Sequence, residues 1–213
     1  MLYGLAPAAR AVRESGEMLV CEGYMDVIAL SQAGFAGAVA PLGTALTEDQ
    51  MVEMWRWVAE PILCFDGDNA GQRAAARAVE RALPLLQPGK SLRFAVLPPG
   101  EDPDSLIGGR GVAAMRELLD AARPLSAMLW DLELAGRPAD TPERRAGLRQ
   151  RLRERIGVIA DRAVQDSYRA EFDQRYRAAF EQPQTVRHGP GRPGQGGRPW
   201  KPAPEVGGAA ARI

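Results

Sequence analysis

Four short apolar runs, at residues 18–21, 36–40, 61–65 and 91–97, alternate with longer stretches of helical character. Runs this short suit single buried strands better than core helices. The helical segments between them cover residues 24–33, 47–57 and 69–86. Gly34 stops the first. Thr47-Glu48-Asp49-Gln50 is a capping-box pattern that opens the second, which runs through Trp55 and Trp57. The third is rich in alanine. A βαβαβαβ order with buried strands predicts a four-stranded parallel sheet with helices on both faces, a Rossmann-like α/β fold.

Beyond residue 98 the pattern changes. Residues 112–122, 124–134, 141–159 and 162–180 all read as helices, with no strand pattern between them, and Thr141-Pro142-Glu143 places proline in a first helical turn. An all-α subdomain is expected to follow the sheet. From Gln182 the chain is rich in Gly and Pro and nearly free of large apolar residues, which predicts a disordered tail or linker. His188, the single histidine, falls there, where a metal-ligand role has no support. The expected division is 1–15 as a lead-in segment, 16–104 as the α/β catalytic domain, 105–181 as the helical subdomain and 182–213 as the tail.

Acidic residues cluster where the strands end. Glu22-Gly23-Tyr24-Met25-Asp26 follows the first strand and Asp66-Gly67-Asp68 follows the third. Glu101-Asp102-Pro103-Asp104 comes shortly after the fourth. Ligands of parallel α/β sheets bind beyond the carboxyl ends of the strands, so these acids gather on one edge. Residues two apart in extended backbone point the same way, and magnesium favours a few carboxylates plus water and substrate phosphate. A lone D-x-D pair more often marks a solvated loop. Three such clusters on one edge point instead to a divalent-metal, phosphate-chemistry site built on their carboxylates. Two ions could then clamp the attacking and leaving oxygens.

The charge balance limits what else this stretch can do. The 213 residues hold 27 basic and 27 acidic side chains. Setting residues 181–213 aside leaves 22 basic against 25 acidic. A module that grips nucleic acid by itself is usually basic. Lysine occurs only at positions 90 and 201, so arginine supplies nearly all positive charge; a GC-rich genome explains that without a functional cause. Cys21 and Cys64 lie inside apolar runs without ligand spacing, which argues against zinc and suits buried thiols in a reducing cytoplasm. A disulfide across adjacent strands stays open. Residues 27–47 carry no charge but are interrupted by Gly34, Gly37, Pro41 and Gly43 and do not suit a membrane span. No signal-peptide pattern starts the chain, so the expectation is a cytoplasmic protein with no membrane partner.

Other residues have weaker claims. Gly43 and Thr44 sit in a loop at the acidic edge, where they could approach phosphate or form a plain turn. Arg73 and Arg77, on the helix after Asp66-Gly67-Asp68, could meet a phosphate, though a solvated face is the ordinary outcome. Trp55 and Trp57 could stack on bases, but packing on the sheet is the more ordinary use. Tyr24 reads as structural.

The wording of the motifs is more specific than their spacing. Val20-Cys-Glu-Gly-Tyr-Met-Asp-Val27, Cys64-Phe-Asp-Gly-Asp-Asn-Ala-Gly71 and Leu97-Pro-Pro-Gly-Glu-Asp-Pro-Asp104 resemble the TOPRIM core of bacterial DnaG-type primases. Leu2-Tyr-Gly-Leu5 resembles the segment just before that core, and Pro124-Leu-Ser-Ala127 the helical part after it. The resemblance spans roughly residues 2–180. It implies a TOPRIM sheet followed by helices, and a DNA-directed RNA polymerase that makes short RNA primers on single-stranded DNA from ribonucleoside triphosphates. It further implies Mg2+ or Mn2+ at Asp66, Asp68, Asp102 and Asp104, with Glu22 as ligand or as base for the primer 3′-hydroxyl and Asp26 completing the edge.

The family's zinc-binding Cys/His cluster, its basic upstream subdomain and its C-terminal helicase-binding domain find no counterpart in these residues. The expectation is therefore the catalytic middle of a primase, weak or inactive alone, whose contact with the replicative helicase lies elsewhere. Two alternatives remain: a stand-alone TOPRIM nuclease, and a non-enzymatic fragment that binds metal or partner proteins.

Overall fold

Apolar side chains alternate along each central strand, and that alternation builds two cores. The computed structural model describes residues 1–41 and 45–181. The strands are β1 (Leu2–Tyr3), β2 (Leu19–Val20), β3 (Ala38–Pro41), β4 (Ile62–Phe65), β5 (Arg93–Val96) and β6 (Arg123–Pro124), in sheet order β1-β3-β2-β4-β5-β6. Strands β3, β2, β4 and β5 run parallel, as expected. Val20, Val39, Leu63, Phe65 and Phe94 enter the core on one face. Leu19, Cys21, Ala38, Ile62, Cys64 and Ala95 enter the core on the other. Both faces are covered, so every residue of β2, β3 and β4 is buried and these strands read as continuous apolar runs.

The helices divide between the faces. Helix α2 (Tyr24–Gln32) follows β2 and packs with α5 (Pro103–Asp120) over one core. Helices α1 (Leu5–Ser15), α3 (Glu48–Met54) and α4 (Asn69–Ala82) cover the opposite face, joined by α6 (Leu125–Leu134), α7 (Pro142–Gly157) and α8 (Arg162–Phe180). Because α2 and α4 leave the neighbouring strands β2 and β4 toward opposite faces, a crevice opens between those strand ends, the place where doubly wound sheets bind ligands.

The structure adds to some expectations and corrects others. Residues 1–15 hold a strand and a helix: β1 pairs antiparallel with β3 at Leu2↔Pro41 and Tyr3↔Ala40. A strand does interrupt the later helices, since β6 pairs antiparallel with β5. Helix α5 adds a helical piece from Pro103 that was not expected, breaks at the non-helical Gly111, whose φ of 83° suits glycine, and resumes at residue 112, the expected start. Helix α3 stops at Met54, so Trp57 lies beyond it. Trp55 turns inward and donates from Nε1 to the Ser91 carbonyl at 2.8 Å, while Trp57 sits under the Arg13 guanidinium at 4.8 Å. Trp55 thus belongs to the core on the α4 face, and Trp57 is half-buried against it. The expected tail, residues 182–213, lies outside the described residues.

The later helices enclose a buried charge. Glu133 on α6 is 4% exposed and accepts from Arg151 Nε at 3.0 Å and Arg155 Nε at 2.9 Å. Arg155 also reaches Glu80 of α4 at 3.0 Å, tying α7 to the α/β part. Removing one partner of a buried ion pair strands the others. Glu133→Ala should therefore lower stability by about 2–3 kcal/mol, half-exposure of the arginines moderating the loss. The urea-unfolding midpoint, with the slope unchanged, measures it.

Candidate metal and phosphate site

Each acidic cluster is fixed by the backbone around it. Glu22 follows β2 and its Oε1 accepts from the Asp66 amide at 3.3 Å, across the crevice between β2 and β4. Asp26, 9% exposed, lies in the first turn of α2 and accepts from the Gly23 amide through Oδ2 at 3.2 Å. Asp68 is the N-cap of α4 and accepts from Gly71 N–H at 2.7 Å. Asp102 is the N-cap of α5 and accepts from Ser105 N–H at 2.7 Å, with Asp104 in the turn that follows. Both caps are worth about 1 kcal/mol to their helices. They also aim two helix N-termini at this edge.

The second and third clusters are locked together through main chain. Gly67 N–H donates to the Glu101 carbonyl at 3.0 Å, and Gly100 N–H donates to the Gly67 carbonyl at 3.3 Å. The approach is so close that a Cβ at residue 67 would lie 1.8 Å from the Pro98 carbonyl oxygen. Only glycine fits.

Asp66 is the centre of the site. Its Oδ1 is buried with no hydrogen-bond partner among the described residues. Burial pushes its carboxyl up to about 6, and the charges of Glu22, Asp26, Asp102 and Asp68 push the same way. Asp26 is also raised, first by burial, against the Gly23 amide that favours its charge, and then by Asp102, Asp104 and Glu22. All six acids singled out in the sequence thus share one electrostatic neighbourhood. Among the described residues no three Asp, Glu, His or Cys side chains form a ready-made ion cage. An ion held here would have to take its remaining ligands from water and substrate phosphate, as magnesium commonly does. The all-oxygen donors, the orphaned Asp66 Oδ1 and the mutual repulsion fit a divalent ion.

The neighbouring residues divide between pairing, exposure and burial. Glu101 pairs with Arg110 at 2.8 Å and is neutralised. Tyr24 is more than half exposed and meets Tyr3 edge-on at 6.0 Å. Arg73 is exposed on α4. Gly43 and Thr44 lie outside the described residues. Cys21 and Cys64 are free buried thiols on neighbouring strands; a hydrogen bond to Cys64, then burial, pushes the Cys21 thiol up. Sequence reasoning missed Arg81, which lines a cavity beside Glu22; its i+4 spacing from Arg77 was the available signal.

Known proteins resemble this chain in sequence and in fold. Residues 16–95 match the Toprim domain family. The DNA primase of Rickettsia felis is 41% identical over 167 residues, 78% of this chain and 28% of that protein. A DNA primase domain from Pseudomonas aeruginosa superposes with TM-score 0.76 at 40% identity, covering 85% of this chain and 56% of that one. A DnaG primase catalytic domain bound to single-stranded DNA superposes with TM-score 0.74 at 40% identity, covering 82% and 56%. The chain belongs to the bacterial DnaG-type primase family. It spans less than a third of the length of the curated relatives it matches.

Two outcomes are expected. Gly67→Ala must part the two loops, lowering stability by about 3 kcal/mol or more and weakening magnesium binding; urea unfolding and calorimetric titration read each effect. The second concerns pH. Folding raises Asp66 from 3.8 to about 6, so the folded state holds the proton more tightly. Stability from this group is therefore fully present below about pH 4 and is lost as pH rises to 6. Asp66→Asn should raise the melting temperature by a few degrees at about pH 7.5 without divalent ions, of order 1 kcal/mol after solvent screening. The gain should vanish near pH 4 and shrink in saturating magnesium.

Proposed function

We propose that this chain carries the nucleotidyl-transfer centre of an enzyme making short RNA primers on single-stranded DNA during replication. The observation that carries the proposal is Asp66: a buried, unpartnered carboxylate oxygen at a strand end, raised to about 6 and ringed by four other acids. Asp66 and Asp68 would hold magnesium or manganese, with Asp102 and Asp104 reaching it from the facing loop and Glu22 at its edge. Bound there, one or two such ions would neutralise the acids and stabilise charge on the transferred phosphoryl group and the departing pyrophosphate.

The residues' own tasks follow from their places. Glu22, fixed by the Asp66 amide, serves as an ion ligand or accepts the proton of the primer 3′-hydroxyl. That oxygen bonds to the α-phosphorus while the bond to the bridging oxygen breaks, and pyrophosphate leaves with the electron pair. Asp26, buried and hydrogen-bonded to Gly23, sustains the negative potential and orients the Glu22 turn. The family assignment supports single-stranded DNA and ribonucleoside triphosphates as substrates and a cytoplasmic setting; no described helix is long and apolar enough to cross a membrane. Contact with a replicative helicase would fall outside these residues. The excess of acids, 25 against 22 basic residues over 1–180, supports weak DNA binding by this part alone.

The test is primer synthesis from ribonucleoside triphosphates on a single-stranded template with magnesium, the chain being supplied with the remaining parts of a full-length relative. Glu22→Gln and Asp66→Asn should each lower the rate about 100-fold or more. Synthesis that survives both substitutions would overturn the proposal. Metal-dependent cleavage of the template without primer synthesis would favour the nuclease reading instead.

A further inference from the structure

A cavity of about 230 Å3 opens beside Glu22, between the carboxyl ends of the central strands and helix α4. Glu22, Pro41, Phe65, Arg77 and Arg81 are among the residues that line it. Arg77 and Arg81 are four residues apart on α4 and so share one face of that helix. Arg81 is anchored, its Nη1 donating to the Leu46 carbonyl at 2.5 Å. Arg77 is exposed and forms no ion pair or side-chain hydrogen bond with a described residue. Glu22 and Arg77 thus border one small hollow without pairing across it.

We propose that this hollow is a diphosphate subsite, taking the β- and γ-phosphates of the incoming nucleotide and the pyrophosphate that leaves, with Arg77 in direct contact. The proposal rests on the nucleotidyl-transfer reading above and names the side of the acidic edge on which the phosphate chain lies. Volume decides the ligand class. Pockets for whole small-molecule ligands run to roughly 300–1,000 Å3, and this one is smaller, so it suits a phosphate chain rather than a base and ribose together. Charge decides the sign. A bare anion would be repelled by Glu22 and its acidic neighbours. Two guanidiniums on the opposite wall offset that repulsion, and arginine meets phosphate oxygens in a bidentate fork. The space between Glu22 and Arg77 suits a group that is negative toward Arg77 and carries a cation toward the acids, as magnesium diphosphate does. The wall itself is stiff, because Arg81 pins α4 to Leu46.

The experiment is calorimetric titration of the full chain with magnesium pyrophosphate. Binding should occur, fall tenfold or more in Arg77→Gln and recover in part in Arg77→Lys. The unfolding midpoint of each variant should match the parent, since Arg77 supports no described contact. Magnesium titrated without pyrophosphate separates the two readings: its affinity should be unchanged in Arg77→Gln and reduced in Asp66→Asn. If pyrophosphate binds equally well to the parent and to Arg77→Gln, or does not bind the parent, the subsite is overturned. The acidic-edge reading survives that result when Asp66→Asn still weakens magnesium.

Discussion

Asp66 is held against its own electrostatics, and much of the surrounding structure serves to hold it there. Burial raises its proton affinity, four other carboxylates raise it further, and one of its oxygens has no partner among the described residues. A flexible loop would relax by swinging the side chain into water. This one cannot. The strand before it is paired on both sides, its own amide is tied to Glu22, and the next residue is wedged under the Pro98 carbonyl. Local instability is kept by a rigid frame, the usual arrangement where charge must be ready for a ligand.

That frame follows from the strand alternation. Residues of one parity fill the core under α4 and the later helices; residues of the other parity fill the core under α2 and α5. Because β2 and β4 are adjacent and hand the chain to helices on opposite faces, their carboxyl ends are left uncovered side by side. Glu22 and Asp66 occupy those two ends. The meeting of two clusters 44 residues apart is therefore a consequence of topology. The third cluster is brought in by β5, which pairs with β4 over four registered positions and delivers residues 98–101 onto Gly67.

The four parallel strands were legible because each is a buried run followed by a helix with its own start signal, as at Thr47 and Asp68. The family was legible from the wording of three motifs. The edge strands were not: β1 and β6 are two residues long, and two residues carry no period. Their existence depends on the open edges of β3 and β5, which no local pattern encodes. The start of α5 was legible in principle, since Asp102-Pro103-Asp104-Ser105 is a cap, an N1 proline and a capping-box partner. The same residues were read for their carboxylates alone, and Gly108, Gly109 and Gly111 further weakened the helical pattern. The cavity beside Glu22 depends on distances between β2, β3 and α4, which a linear pattern cannot supply.

The two D-x-D pairs show why spacing alone was ambiguous. Asp68 and Asp102 each give an oxygen to a helix N-terminus, which is what an ordinary solvated loop would ask of them. On those two residues the plain structural reading and the metal-ligand reading coincide, since a capping carboxylate keeps a second oxygen for an ion. Asp66 differs from both. It caps nothing, it sits at a strand end where burial works against its charge, and the turn after it admits only glycine. A carboxylate kept in such a place lowers the stability of the empty fold, and on the proposed reading a bound cation would reverse that effect by satisfying the same oxygen, which has no partner among the described residues.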